Sequence, residues 1–143
     1  MTETSPLNKV RLIDLPKICD PRGNLSFVEG GRHVPFSIQR VFYIYDVPGG
    51  ETRGGHAHRQ CQIVLIAVAG SLSVRLTDGK DELLFHLDRS NRGLLIPLGV
   101  WKVMENFTTG TVIVALASQR YEEEDYIRDY DDYCRYSAEQ FGI

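Results

Sequence analysis

Apolar and polar residues alternate along most of this chain with the two-residue period of half-buried strands. "NKVRLIDL" (8–15) alternates up to Pro16, and "NLSFVEG" (24–30) follows the turn signal "DPRGN". In "SIQRVFYIYDV", Ile38, Arg40, Phe42 and Ile44 share one face, and Gln39, Val41, Tyr43 and Tyr45 share the other. "QIVLIAVAG", "SLSVRLTDG", "DELLFHLD", "RGLLIPLG", "WKVMENF" and "TVIVALAS" follow, divided by breaks such as "TDGKDE" and "FTTGT". Six or more short strands at nearly even spacing predict an all-β antiparallel sandwich or barrel. No internal repeat or low-complexity tract appears, and the linkers are short, so one domain is expected over residues 1–143.

The C-terminus breaks the pattern. "YEEEDYIRDYDDYCRYSAEQF" has no Gly or Pro and carries its acidic residues early, which suits the positive end of a helix dipole. Tyr126, Tyr130 and Tyr133 recur at helical spacing with Ile127 beside them. A terminal helix packing an aromatic stripe on the barrel is the expectation, with a ligand role for one tyrosine as the alternative.

Candidate chemistry concentrates in "RGGHAHRQCQIVLIAVAG". Two of the chain's four histidines, His56 and His58, stand two apart before an apolar run and so share one face of an extended segment. Gly49, Gly50, Gly54 and Gly55 let the backbone bend just before them. His33 reads as a loop residue and His86 as an ordinary strand position. The pair is a metal site, an acid–base site, or two solvated polar residues. Gly50, five residues, then His-x-His resembles the first half of a cupin signature, and Pro97-x-Gly99-x-x-Lys102-x-x-x-Asn106 resembles the second half. A cupin metal site needs a Glu after the pair and a His in the second half. Here Gln62 or Ile63 holds the first position and Lys102 the second. Two imidazoles beside an ammonium fall short of the ligand set that holds zinc or iron, so no metal is expected. Without one, paired imidazoles in a barrel mouth suit proton transfer.

Composition narrows the partners. The 143 residues are enough for one core, and a net charge of −3 without a basic block argues against nucleic-acid or membrane-surface binding. The three cysteines, Cys19, Cys61 and Cys134, form no CxxC, which fits reduced thiols in a cytoplasm. "MTETSPLNKVRLIDLPK" lacks the apolar core of a signal peptide, and no apolar run approaches a membrane span.

The segments "DPRGNLSFVEG", "VPFSIQRVFYIYDV", "RGGHAHR", "GLLIPLGVW" and "VALASQRYEEEDYIRDYDDY" resemble the cupin-type sugar-nucleotide 3,4-ketoisomerases that act on dTDP-4-keto-6-deoxyglucose. The resemblance runs over nearly the whole length. It implies a jelly roll with a short C-terminal helix, no cofactor, and a homodimer that exchanges N-terminal strands. The implied substrate is a dTDP-linked keto sugar, destined for a 3-amino-3,6-dideoxyhexose of the lipopolysaccharide O-antigen type. The catalytic residues it implies are His56, His58, Arg53 and Tyr43. Arg22 is the loop residue tied to configuration at carbon 4, facing the position of Lys102, and arginine there favours a galacto product. Lys102, Val103, Asn106, Gln62 and Ile63 depart from the family pattern.

Moving a carbonyl from carbon 4 to carbon 3 through an enediolate needs a base for the carbon proton and a shuttle between two oxygens. The expectation gives His58 the carbon side and His56 the oxygen side, with Arg53 and Tyr43 stabilising negative oxygen. Arg40, Arg53 and Arg59 are candidates for the diphosphate, with Trp101 or a tyrosine for the thymine ring. A dTDP-sugar 3,5-epimerase is the alternative enzyme. It would pair its catalytic His with a distant carboxylate, whereas here two histidines share one strand. A non-catalytic small-molecule-binding cupin is the other alternative.

Overall fold

The computed structural model describes residues 1–143. The strands in chain order are β1 (Arg11–Asp14), β2 (Lys17–Asp20), β3 (Gly23–Ser26), β4 (Arg40–Ile44), β5 (Arg53–His58) and β6 (Ile63–Ala69). They continue with β7 (Leu72–Thr77), β8 (Glu82–Leu87), β9 (Arg92–Ile96), β10 (Trp101–Glu105), β11 (Val112–Ala117) and β12 (Tyr126–Ile127). A single α-helix, α1 (Tyr130–Phe141), ends the chain. Two five-stranded antiparallel sheets, in the orders β1-β9-β6-β11-β4 and β12-β5-β10-β7-β8, form the cupin jelly roll. No helix is long and apolar enough to cross a membrane.

Alternation explains the inner core. Leu72, Val74 and Leu76 of β7 point between the sheets, where they meet Leu65, Leu94 and Ile113. β6 does not alternate, because its sheet is covered on both sides. Leu65 and Ala67 face the barrel interior, while Val64 and Ile66 pack outward against Val34, Phe36 and Leu116. A continuous apolar run is what two buried faces require.

Helix α1 covers the outer face of the second sheet. The Asp129 side chain accepts a hydrogen bond from the Asp132 N–H at 2.9 Å, and Gly142, at φ +70°, closes the far end. Tyr133 is fully buried against Trp101, Ala57 and Ile127, and its hydroxyl donates to the Gly99 carbonyl at 2.7 Å. The helix is shorter than the acidic segment suggested. Residues 121–129 instead form a 3-10 turn (Glu123–Asp125) and the two-residue β12, which pairs with β5. Sheet pairing outcompetes helix propensity here, because β5 offers an unpaired edge. Tyr126 therefore leaves the helical stripe and pairs with His58 in register.

The β2–β3 hairpin pairs with no strand of the barrel. All eight of its strand residues are exposed, including Ile18 and Leu25.

Leu65→Ala, inside the barrel, is expected to cost about 2–5 kcal/mol in chemical denaturation. Leu84→Ala, on the open face of β8, should stay within about 0.5 kcal/mol of the parent.

Candidate active site

A cleft of about 230 Å³ opens in the barrel between β4, β5 and β10, with Tyr126 and Arg128 closing one side. The glycines before the histidines shape it. Gly54 and Gly55 adopt φ of +88° and +70°, where L side chains are strained. A Cβ on Gly54 would lie 3.0 Å from the Lys102 carbonyl oxygen. Opposite them the ladder between β5 and β10 slips by a residue, so that Lys102 pairs with His56 and Val103 with Gly54. This bulge re-aims the strand. Beyond it His56 and His58 turn inward, and Ala57 packs outward near Trp101 and Tyr133.

The two imidazoles have different partners. Lys102 Nζ donates to His56 Nε2 at 3.1 Å, which puts the ring's own proton on Nδ1. His58 Nδ1 donates to Asp125 Oδ2 at 2.7 Å, and Asp125 Oδ1 accepts the Gln60 N–H at 2.6 Å. The His58 tautomer is thereby set with Nε2 bare, and that atom is buried with no protein partner. The ring centroids lie 5.1 Å apart, and Tyr126 packs over both. His56 lines the cleft, whereas His58 sits behind it, 4% exposed.

Burial, then the nearby Lys102 ammonium, then His58, pushes His56 down to about 3. Burial, then the cations of Lys102, Arg40 and Arg128, holds His58 well below the imidazole range. Both rings are uncharged at neutral pH. Lys102 is 2% exposed, and burial pushes its ammonium down to about 8.

His56, Lys102, Tyr43 and Arg53 meet in this cleft, with Tyr43 and Arg53 at its exposed mouth. Arg40 lies beside it. Its guanidinium stacks on Phe42 and Tyr121, and it donates to the Tyr126 hydroxyl at 3.4 Å.

Three expected binding residues are elsewhere. Trp101 is 8% exposed beneath Tyr130 and Tyr133, because its neighbour Lys102 takes the inward side of β10 and alternation sends Trp101 outward. Arg59 follows the end of β5 and stacks on Tyr136 of α1 outside the cleft. Arg22, at the tip of the β2–β3 hairpin, is ion-paired to Asp20, with 91% of its side chain exposed. Within one chain it does not face Lys102, which is buried in the barrel.

The positions that depart from a cupin ligand set are occupied otherwise. Ile63 is a core residue, and the Gln62 N–H is bonded to Ser118 Oγ. Ligand atoms of His58, Cys61 and Asp125 do lie within 4.8 Å of one another. However, both Asp125 oxygens already accept hydrogen bonds, and a buried ammonium nearby opposes a dication.

Sequence reasoning missed Asp125 and Arg128, and named Tyr126 only among three tyrosines of which one was the alternative for a ligand role. Arg128 lies 4.3 Å from the Tyr126 ring centroid and is ion-paired to Glu123. The signal was the "DYIR" of the C-terminal motif, hidden by reading that segment as helix. Asp125 also overturns the discriminator against an epimerase, since His58 does have a distant carboxylate partner.

A larger hollow, of about 480 Å³, lies at the base of the β2–β3 hairpin. Its lining includes Leu15, Phe27, Ile66 and Val68 but no imidazole, thiol or carboxylate, so groups able to transfer a proton line the smaller cleft instead.

Residues 8–138 match the family described as FdtA: WxcM-like, C-terminal. The chain is 42% identical over 128 residues to the TDP-4-oxo-6-deoxy-alpha-D-glucose-3,4-oxoisomerase of Aneurinibacillus thermoaerophilus, covering 90% of this chain and 92% of that protein. It is similar to the crystal structure of QdtA, a sugar 3,4-ketoisomerase from Thermoanaerobacterium thermosaccharolyticum in complex with TDP, with 41% identity and a TM-score of 0.92 over 94% of this chain and 98% of that one. A 3,4-ketoisomerase from Helicobacter canadensis is similar at 38% identity and a TM-score of 0.88, over 90% of this chain and 97% of that one.

Acidification tests the uncharged pair. Both folded-state values lie below the ordinary imidazole value of 6.5, so the unfolded chain binds more protons below that pH. The part of the stability due to these rings is expected to be full above about pH 6.5 and to fall progressively towards pH 3. The ¹⁵N signals of His56 and His58 should stay those of neutral rings between about pH 5 and 8.

Proposed function

Because the chain belongs to the FdtA family of cupin-type sugar-nucleotide 3,4-ketoisomerases, and so is an isomerase, we propose that it converts dTDP-4-keto-6-deoxyglucose to a dTDP-3-keto-6-deoxyhexose. The product has the galacto configuration at carbon 4 and is then transaminated to a 3-amino-3,6-dideoxyhexose. The observation that carries this reading is a neutral imidazole on the cleft wall with a second neutral imidazole 5.1 Å behind it, each set by a different partner. An enediolate isomerisation needs two proton-handling groups, one for carbon and one for oxygen.

We assign the carbon proton to His56, the reverse of the sequence expectation. A carbon acid is poorly served by a relay, and His56 is the imidazole that lines the cleft. Its Nε2 takes the proton from carbon 3, exchanges it with solvent, and delivers a proton to carbon 4. His58, oriented by Asp125, moves the proton between the two oxygens. Arg53 and Tyr43 at the mouth donate towards negative oxygen, and Arg53 with Arg128 suits a diphosphate. With Trp101 covered, exposed Tyr45, its ring centroid 5.8 Å from that of Tyr43, is the aromatic surface offered to thymine.

The working unit is a cytoplasmic homodimer in which each hairpin crosses to the other copy and brings Arg22 to that copy's cleft. Ile18, Leu25 and Phe27, exposed on and beside an arm with no barrel partner, support the exchange. Unpaired cysteines support the compartment.

Incubation with dTDP-4-keto-6-deoxyglucose in heavy water, followed by NMR, should show the carbonyl at carbon 3 and deuterium at carbon 4. Inversion at the methyl-bearing carbon would mean an epimerase, and binding without deuterium a non-catalytic cupin. His56→Asn, His58→Asn and Asp125→Asn should each lose about 10²-fold or more in turnover, and a chelator should leave the wild-type rate unchanged.

A further inference from the structure

Lys102 is the one charged group buried in the barrel interior that this reaction scheme leaves without a task. A buried ammonium is costly unless it is paired or used. Its hydrogen-bond partner is His56 Nε2, at 3.1 Å, and it makes no ion pair with a carboxylate. It lines the same cleft, so its Nζ and the His56 lone pair open on the same space. The bulge at Gly54 and Gly55 is what brings the two side chains into register across the sheet.

The bond is awkward for a base. While Lys102 donates to Nε2, that lone pair is occupied and cannot take a proton from carbon. Resting on the proposed isomerisation, we infer that Lys102 is a partner-switching cation. In the free enzyme it caps His56 Nε2. When a keto sugar enters, it gives its hydrogen bond to the carbonyl oxygen at carbon 4. The switch unmasks the base and brings the cation to the atom that becomes negative in the enediolate.

The step balances without a further reactant. The carbon 3–hydrogen bond breaks, its proton goes to His56 Nε2, and the electron pair moves through the carbon 3–carbon 4 bond onto the carbon 4 oxygen. Lys102 keeps its three protons and stabilises that oxygen by charge and hydrogen bond. After that proton exchanges with solvent, His56 Nε2 delivers one to carbon 4, while His58 passes the carbon 3 hydroxyl proton to the carbon 4 oxygen and the carbonyl forms at carbon 3. A covalent role is ruled out by the product: an imine at carbon 4 would rearrange to a 3-keto sugar still bonded to the lysine through an amine.

Ionisation of Lys102 therefore controls the reaction. His56 and His58 of β5, Arg40 of β4, Cys61 before β6 and Asp125 of the 3-10 turn surround it. Arg53, Tyr126 and Arg128 complete the charged or titratable lining of the cleft. Burial and Arg40 lower its proton affinity, against the opposing effect of Cys61 and Asp125, leaving it at about 8. The cation is present at neutral pH and lost just above it. Lys102 also lowers His56, so removing the cation raises the proton affinity of that ring.

The test compares the wild type with Lys102→Met and Lys102→Arg by pH profiles and by ¹⁵N NMR of the histidines without substrate. Wild-type turnover should fall above about pH 8, approaching tenfold per unit. Lys102→Arg should keep measurable turnover and shift that fall upward, since a guanidinium does not lose its proton there. Lys102→Met should fold, lose about 10²-fold in turnover and lose the alkaline fall. Its acid limb should move up as His56 becomes more basic. In the NMR arm, the wild-type His56 Nε2 signal should move near pH 8 and that movement should vanish in Lys102→Met. An unchanged alkaline limb in both variants, or a His56 signal blind to Lys102, overturns the inference. A wild type that never isomerises the keto sugar overturns the proposed function instead, and the NMR arm still judges the Lys102–His56 bond.

Discussion

A buried hydrogen bond of 2.7 Å from His58 Nδ1 to Asp125 joins the middle of the chain to its C-terminal segment. Much of the site follows from it. The bond fixes one tautomer, so His58 Nε2 carries a lone pair rather than a proton. It also anchors the turn that carries Tyr126 and Arg128 onto the barrel. The backbone repeats the tie, since the Arg59 N–H donates to the Asp125 carbonyl at 2.8 Å and β12 extends β5. With both carboxylate oxygens accepting hydrogen bonds, a nearly buried acid becomes tolerable in a place that would otherwise expel it.

Cations dominate the electrostatics of this cleft. Lys102, Arg40, Arg53 and Arg128 lie in or beside it, in a protein whose net charge is −3. Desolvation and these cations act in the same direction on the imidazoles, and both keep them neutral. Neutral rings can accept protons, while fixed positive charge favours any state that places negative charge on a ligand. The arrangement therefore suits an anionic substrate and an anionic intermediate together. It also makes a divalent cation a poor guest.

The hydrophobic arrangement places these groups at little expense to the core. His56, His58 and Lys102 sit on the inward faces of β5 and β10, and their immediate neighbours, Ala57 and Trp101, are buried on the opposite face by α1. Strand alternation thus serves two clusters with one stretch of chain. The pair of positive-φ glycines keeps β5 and β10 close while shifting their register, which a Cβ at Gly54 would obstruct.

Local pattern was sufficient for an all-β antiparallel sandwich or barrel, because inward and outward residues differ in polarity along each strand; the jelly roll itself was implied by the family resemblance. It was also sufficient to single out His56 and His58, since a spacing of two in an extended segment puts both on one face. Pairing across long sequence separations was not legible. Asp125 stands 67 residues from His58, and nothing near either one records the contact. The acidic residues around it carried a helix signal that β5's open edge overrode. The sides of Trp101 and Arg59, the isolation of Arg22 on its arm, and the burial of Lys102 against His56 were likewise decided by tertiary structure. Strand register and sheet closure are properties of distant partners, and they determine which face of a given residue meets solvent, core or cleft.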